Sequence, residues 1–151
     1  MIRLRALAAI VAGALAGASC AERELGVSDA WIPLAPPGTT AHVAYLVIHN
    51  ARDSAVELTE ARSPSFAHVE FHATTQTDGR MAMQRLASLT VPAHGQLRFV
   101  PGALHLMLFE ARAEPHAGDA IHLVLRFADG TELGCDAQVR DARVAHAPHR
   151  H

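Results

Sequence analysis

The sequence predicts an all-β protein, built as a two-sheet sandwich with Greek-key connections. From Val27 onward, turn signals divide the chain into short segments rich in strand-forming residues. These segments lack the sustained three-to-four-residue apolar periodicity of a helix. Eight or nine strands at this even spacing are typical of a β-sandwich. The 151 residues suffice for a single domain with a hydrophobic core.

Nine segments are predicted to be strands, and Pro, Gly, Asn or Asp residues between them favour turns. The predicted strands are Val27–Ile32, His42–His49, Val56–Ala61, His68–Ala73, Met81–Leu86, Gln96–Val100, His105–Glu110, Asp119–Phe127 and Glu132–Val139. The predicted turns are Pro36–Gly38, Asn50–Asp53, Thr77–Gly79, Pro92–Gly95, Pro101–Gly102, His116–Asp119 and Asp129–Gly130. We therefore expect short surface connections throughout the domain.

The first residues have the features of an export signal. Two arginines within the first five residues precede an apolar run of small residues from Ala6 to Ala18, which is too short to span a bilayer comfortably. We expect residues 1–19 to be a signal peptide and the mature protein to be soluble and periplasmic. The alternative is a lipid anchor on Cys20, although Gly17 stands where a lipoprotein site usually has a larger aliphatic residue.

Composition excludes several classes of function. The net charge of -2 and the absence of a long basic run argue against a nucleic-acid partner, because phosphate binding needs clustered Lys and Arg. The chain has two cysteines, Cys20 and Cys135, and no CxxC motif, which argues against thioredoxin-like redox chemistry and thiolate-rich zinc sites. The two cysteines could pair in an oxidising compartment, but the sequence does not show that they meet.

Methionines and histidines are interleaved in the second half of the chain. Three of the four methionines lie between Met81 and Met107, and histidines stand before and among them. Thioether sulfur combined with imidazole indicates a site for a soft metal ion, for which Cu(I) is the leading candidate.

The segment Leu104–Phe109 carries the clearest alternation. Side chains on a strand point to opposite faces in turn, so its three leucines would face the core. His105 and Met107 would then be neighbours on the other face, with backbones about 6.5 to 7 Å apart. One strand can thus supply two metal ligands.

The segment His68–His72 alternates in the same way. Its two apolar residues, Val69 and Phe71, would be buried, and the side chains of His68, Glu70 and His72 would lie on the opposite face.

Met81 and Met83 share one face of their predicted strand, so either could supply a sulfur ligand. A methionine in a sandwich is more often part of the core, and a lone histidine is more often solvated. A methionine facing away from a leucine stripe, however, exposes its thioether to water, which calls for a partner surface or a metal. His105 and Met107 are therefore the strongest pair, and His72 and Met83 join them only if the strands are adjacent.

The spacing of the four residues is specific. Ten residues separate His72 from Met83, 21 separate Met83 from His105, and one separates His105 from Met107. This spacing resembles that of the PCu(A)C family of periplasmic copper chaperones, and the similarity covers about residues 26–140. The other matching segments are Val27–Trp31, Pro36–Gly38, Val69–His72, Asp78–Met83 and Pro101–Leu108.

The resemblance implies a cupredoxin-like β-sandwich that binds Cu(I) through His72, Met83, His105 and Met107. It also implies delivery to the dinuclear copper centre of cytochrome c oxidase, directly or through another copper chaperone, with no catalysis. Thr74 stands where some members have an extra methionine, which leaves the four ligands intact. Neutral thioethers favour Cu(I), and imidazole adds affinity without the hold of a thiolate cluster, so such a site can bind and still release.

Residues 141–151 continue past the expected domain and contain three histidines, His146, His149 and His151. Two interpretations stand, a Cu(II)-capturing arm or a solvated terminus without a role. His68 shares a predicted face with His72, but we expect it to be an ordinary surface residue.

Three other functions fit the sequence less well. An electron-transfer cupredoxin needs a cysteine thiolate with two histidines, and Cys135 has no His or Met nearby in sequence. A metal-dependent hydrolase or oxidase is disfavoured because HExxH, a serine elbow and a clustered carboxylate pair are all missing from the sequence. An exported structural domain would retain no copper.

Overall fold

The computed structural model describes residues 25–141, and this part of the chain forms ten β-strands. The strands are β1 (Leu25–Pro33), β2 (Ala41–Asn50), β3 (Val56–Arg62), β4 (Phe66–Thr77), β5 (Arg80–Leu86), β6 (Leu89–Val91), β7 (Gly95–Phe99), β8 (Leu104–Ala111), β9 (Ala120–Phe127) and β10 (Glu132–Arg140). The predicted all-β class is confirmed, and all nine predicted strands are present. The tenth, β6, was missed because it has only three residues and is followed at once by Pro92.

The strands are hydrogen-bonded in the order β5-β4-β8-β7-β2-β1-β10-β9-β3-β6. Strand β1 joins two layers, one that contains β2 and one that contains β10. Its first half pairs with β2, and its last three residues run parallel to β10. The register shifts between these halves, at a point where Asp29 adopts a positive φ of 52°. The architecture is consistent with the expected cupredoxin-like β-sandwich.

The core lies between the two layers and is built largely from alternate residues of the strands. On β9, Ile121, Leu123, Leu125 and Phe127 are buried, and the residues between them are less buried or exposed. On β8 the predicted leucine stripe is confirmed, since two of its leucines are fully buried and Leu104 packs partly buried against them. Full burial of a leucine contributes about 1.5 to 3 kcal/mol, so these stripes fix which face of each strand is turned inward.

A tight hairpin connects β4 to β5 and sets their register. Asp78 and Gly79 both have positive φ, 51° and 76°, as a two-residue type I′ turn requires. The flanking residues Thr77 and Arg80 are directly paired. Strand β4 therefore continues four residues beyond the predicted end at Ala73, because Thr74–Thr77 gain partners on β5.

Several expectations fall on residues that the structure does not describe. The signal peptide at 1–19, the lipid anchor at Cys20 and almost all of the histidine-rich tail at 141–151 lie outside residues 25–141 and stay predictions. Within the described residues, no helix is long and apolar enough to cross a membrane.

Candidate metal centre

Strands β5, β4 and β8 lie side by side and bring the four candidate ligands to one face. His72 is directly opposite His105, and Met107 is opposite Glu70. Met83 is opposite Thr74, two residues along β4 from His72. Residues directly opposite on antiparallel strands share a face, as do alternate residues of one strand. The three strands are therefore adjacent, which was the condition for including His72 and Met83 in the site.

The two imidazole rings of His72 and His105 are close but not stacked. Their centroids lie 5.9 Å apart, and the ring planes are inclined by 31°. Two imidazole nitrogens bound to one ion at about 2.0 Å each would place the ring centroids at most about 6.3 Å apart. The observed separation is thus compatible with one shared ion.

Each of these imidazoles has one nitrogen engaged and the other free. Nε2 of His72 lies 2.9 Å from Oε2 of Glu70, and Nδ1 of His105 lies 3.2 Å from the carbonyl oxygen of Ala103. Since carboxylate and carbonyl oxygens only accept, each engaged nitrogen carries the proton and donates. The remaining nitrogens, Nδ1 of His72 and Nε2 of His105, keep their lone pairs.

These two lone-pair nitrogens are buried, and neither has a hydrogen-bond partner within residues 25–141. Buried polar atoms are nearly always satisfied, because leaving one unpaired costs about 1 to 3 kcal/mol. An imidazole held through one nitrogen by a carboxylate or carbonyl, with the other free, is the arrangement of metal-binding histidines. The pair can therefore donate to a metal ion.

The carboxylate of Glu70, on β4, contacts His72 on the same strand and Arg85 on the edge strand β5. Its second carboxylate oxygen, Oε1, lies 3.4 Å from Nε of Arg85, which is directly opposite His72 on β5. The hydrogen bond from His72 lowers the pKa of Glu70, against partial burial, and the positive charge of Arg85 lowers it further. The carboxylate is thus kept as an anionic acceptor that fixes the ring of His72.

Exposure differs sharply among the four candidates. His105 is only 4% exposed, His72 and Met107 are half-buried, and Met83 is 65% exposed. His105 is paired with His72 across the two strands, and its side chain is buried there rather than open to solvent. Strand β8 lies in the interior of the sheet, between β4 and β7.

Other groups do not join this cluster. His68 is exposed and stacks on Phe109 at a centroid distance of 4.9 Å, as an ordinary surface residue would. Within residues 25–141, no three His, Cys, Asp or Glu side chains are grouped so as to hold a metal ion. A centre built on His72 and His105 therefore needs donors of another type, and thioethers are the ones at hand.

Two further residues with chemically versatile side chains lie on other strands. His42 is buried on the core face, 5.5 Å from the ring of Phe66, and lines a cleft of about 270 Å³ together with Glu110 and Glu114. Cys135 on β10 is half-buried, and burial, reinforced by the charge of Asp136, raises the pKa of its thiol to about 11. It is therefore a neutral thiol at ordinary pH.

Comparison with protein families gives a match over most of the chain. Residues 25–139 match the family described as "LpqE-like: Putative lipoprotein LpqE-like". The protein is 32% identical over 116 residues to "Putative lipoprotein Lxx21020" of Leifsonia xyli subsp. xyli. The aligned region covers 76% of this chain and 69% of the relative. It is 25% identical over 89 residues to "Uncharacterized protein RP573" of Rickettsia prowazekii, covering 58% of this chain and 49% of that protein.

Solved structures give the same result for the fold. The "Copper-bound PCuAC domain from PmoF2" superposes with a TM-score of 0.66 at 22% identity, over 78% of this chain and 93% of that one. Apo-DR1885 from Deinococcus radiodurans superposes with a TM-score of 0.61 at 25% identity, over 93% of this chain and 95% of that one. Its CuI form has the same score and identity over 78% and 77% of the two chains. The chain thus belongs to the LpqE-like family and has the PCuAC-domain fold, which confirms the PCu(A)C resemblance of its sequence.

Proposed function

We propose that this protein is an exported copper chaperone that binds Cu(I) through His72, Met83, His105 and Met107. Three buried imidazole nitrogens lack partners within residues 25–141, in His42, His72 and His105. The observation that carries the proposal is that two of them, those of His72 and His105, lie on the same face as the thioethers. The copper-bound PmoF2 domain and CuI-DR1885, which share this fold, support copper as the cargo.

The donor set suits Cu(I) and suits release. Thioethers are soft, neutral donors that prefer Cu(I) to harder ions. Each imidazole has one ring nitrogen that is held by a hydrogen bond and one that has no partner within residues 25–141, so metal binding at the second nitrogen breaks no existing hydrogen bond. Binding also satisfies two buried nitrogens, which supplies a driving force from groups that the fold has already positioned.

We propose that the acceptor is the copper-centre subunit of cytochrome c oxidase or another copper chaperone. Support comes from the PCu(A)C resemblance and from the exposure of Met83, which leaves the thioether side of the centre open to a second protein. Exchange between two proteins requires that the incoming ligands reach the ion before the old ones leave. The protein then acts by binding and transfer in the periplasm, without catalysis.

The anchoring of the mature protein is a separate question. The descriptions of the family and of the Leifsonia relative as lipoproteins favour lipidation at Cys20 over the soluble product. Labelling with an alkyne-tagged fatty acid tests this choice. We expect label on the wild-type protein and none on Cys20→Ala; an unlabelled wild type would restore the soluble interpretation.

Anaerobic titration with Cu(I) against a competing chelator tests the site. We expect one equivalent bound by the wild type and none retained by the double variant His105→Ala and Met107→Ala, with unchanged circular dichroism. His122→Ala is the matched control, because His122 is exposed and hydrogen-bonded to Asp136 on another strand pair. Stoichiometric binding by the double variant would refute the site, and no binding by the wild type would refute the function.

Addition of Cu(II) tests two remaining alternatives, a thiolate-bound cupredoxin and a tail that captures Cu(II). A thiolate-bound cupredoxin would show an intense visible charge-transfer band with Cu(II), which we do not expect because Cys135 is a protonated thiol. Cu(II) capture by the tail is tested by comparing the full chain with a variant that ends at Arg143. A lower Cu(II) stoichiometry in the shortened chain supports capture, and an equal one leaves the tail without this role.

A further inference from the structure

We propose that Met81 is an exchange ligand, a fifth metal-binding side chain through which Cu(I) enters and leaves the centre. This inference rests on the proposed function and assigns Met81 a role that differs from that of Met83. Met83 holds the ion together with the imidazoles, whereas Met81 binds it only in transit. Four observations on strand β5 support this division.

The first observation is position. Met81 is paired with Gln76, and Met83 is paired with Thr74, so both sulfurs lie on the face that carries His72. Met81 is the next residue along that face, about 6.5 to 7 Å farther from the imidazoles at the backbone. A thioether side chain is long and unbranched, so two methionines at this spacing can reach the same ion in turn.

The second observation is a gradient of exposure along the cluster. The lone-pair nitrogens of His72 and His105 are fully occluded. Met107 is half-buried, Met83 is 65% exposed, and Met81 is 71% exposed. An ion held at the imidazoles is therefore open to ligands from the side of β5, and Met81 is the outermost sulfur on that side.

The third observation is that β5 is an edge strand. It stands at the end of the strand order and pairs with β4 alone among the described strands. An incoming protein or chelator can therefore approach Met81 from beyond the sheet. Strands nearer the middle, such as β8, have neighbours on both sides and offer no such approach.

The fourth observation excludes packing as the reason for Met81. Within residues 25–141, the exposed large hydrophobic side chains are Leu34, Met81 and Met83. Two of the three are thus methionines on one seven-residue strand, next to the imidazole pair. Met81 is outside the core, so its sulfur is available as a ligand.

The exchange step is a ligand substitution without redox chemistry. A bond from Cu(I) to the Met81 sulfur forms while a bond to one resident nitrogen or sulfur breaks. Donor atoms of the acceptor then bind the ion as the remaining resident bonds break one by one, and the bond to the Met81 sulfur breaks last. The copper stays Cu(I), the thioethers stay neutral, and no proton or electron is transferred. Met81 lowers the barrier by keeping the ion coordinated when a resident bond opens.

Stopped-flow transfer of Cu(I) from the loaded protein to bathocuproine disulfonate tests the proposal. In Met81→Leu we expect binding stoichiometry to be unchanged and affinity to stay within about twofold of the wild type. We expect transfer to be about tenfold slower, which corresponds to a barrier about 1.4 kcal/mol higher. Met83→Leu should instead weaken the equilibrium affinity itself.

Two double variants act as matched controls. Adding Gln76→Met to Met81→Leu puts a thioether directly across the strand pair on the same face, and we expect fast transfer to return. Adding Ala82→Met to Met81→Leu puts the thioether on the opposite face of β5, and transfer should stay slow. Both controls add one methionine to Met81→Leu and differ in the face on which its sulfur lies.

The outcomes separate this inference from the proposed function. A wild-type transfer rate in Met81→Leu, or rescue by the Ala82→Met control, would overturn the exchange role while copper binding stands. A large loss of affinity in Met81→Leu would make Met81 a resident ligand and overturn the inference as well. Failure of the wild-type protein to bind Cu(I) would instead overturn the function on which the inference rests.

Discussion

Glu70 accepts a hydrogen bond from His72, with 2.9 Å between the carboxylate Oε2 and the ring Nε2. The two residues lie two positions apart on β4 and therefore share a face. This bond decides which nitrogen of His72 carries the proton, and hence which one offers a lone pair to the face that also carries His105.

Removal of this carboxylate should weaken metal binding. Loss of a group that orients a metal-binding histidine typically lowers affinity by about 10- to 100-fold, and we expect Glu70→Ala to fall in this range for Cu(I). Glu70→Gln keeps an acceptor oxygen and should lose less. Competitive titration with a chelator measures both changes.

A second carboxylate–imidazole pair provides the control for this prediction. Oδ1 of Asp136 lies 2.7 Å from Nδ1 of His122, away from the candidate centre. We expect Asp136→Asn to leave the Cu(I) affinity unchanged. Equal losses in Glu70→Ala and Asp136→Asn would show that the effect is general rather than specific to His72.

The leucine stripe of β8 should carry much of the local stability. Leu106 stands between His105 and Met107 in the sequence of β8. Its side chain is fully buried and faces the core, on the opposite side of the strand. We expect Leu106→Ala to lower the free energy of unfolding by about 2 to 5 kcal/mol in urea titrations. Leu34→Ala, at a residue that is 37% exposed, should change it by less than about 0.5 kcal/mol. Similar losses at both positions would contradict the inward direction of Leu106.

Asn50 is a buried polar residue that organises the turn after β2. Its side-chain amide donates to the carbonyl oxygens of Ser54 and Pro92 at 2.9 and 3.1 Å, and its Oδ1 accepts from the backbone N–H of Arg52 at 3.0 Å. Asn50→Ala leaves these groups unpaired, and we expect a loss of about 1 to 3 kcal/mol in unfolding free energy. The exposed Gln96→Ala on β7 is the control, and an equally large loss there would argue against this explanation.

The thiol of Cys135 should react slowly in the folded protein. Burial raises its pKa to about 11 from an ordinary 9.0, so almost no thiolate is present at pH 8. In a Cys20→Ser variant, we expect the rate of iodoacetamide alkylation to be low at pH 8 and to rise through about pH 11. The same variant in concentrated urea should react at the rate of an ordinary cysteine. Rapid alkylation of the folded protein at pH 8 would contradict the assigned burial.

The sequence was sufficient to predict most of the strands and the directions of the key side chains, because alternation on a strand depends only on neighbours along the chain. Of the three leucines predicted to face the core from β8, Leu106 and Leu108 are fully buried and Leu104 is partly buried. Phe71 is buried as predicted, while His72 lies on the other face. Strand β6 and the last four residues of β4, Thr74–Thr77, were missed, since each of these segments is a strand only because another strand pairs with it.

The chemistry of the candidate centre could be predicted only in part. The resemblance to the PCu(A)C family indicated which four residues to consider, and the register places them on one face of three adjacent strands. Burial of His105 was not predictable, because it depends on strands distant in sequence. The carbonyl of Ala103 was also unforeseen, since backbone acceptors leave no mark in the amino-acid sequence.

The carbonyl oxygen of Ala103 accepts two hydrogen bonds, from the backbone N–H of Thr74 at 3.0 Å and from the ring of His105. The same oxygen thus ties the end of the β4–β8 pairing to the protonation pattern of the imidazole. Fraying of these two strands would break the hydrogen bond of the His105 ring together with the backbone hydrogen bond from Thr74. Retention of the ion and amide hydrogen-exchange protection at Thr74 should consequently rise and fall together.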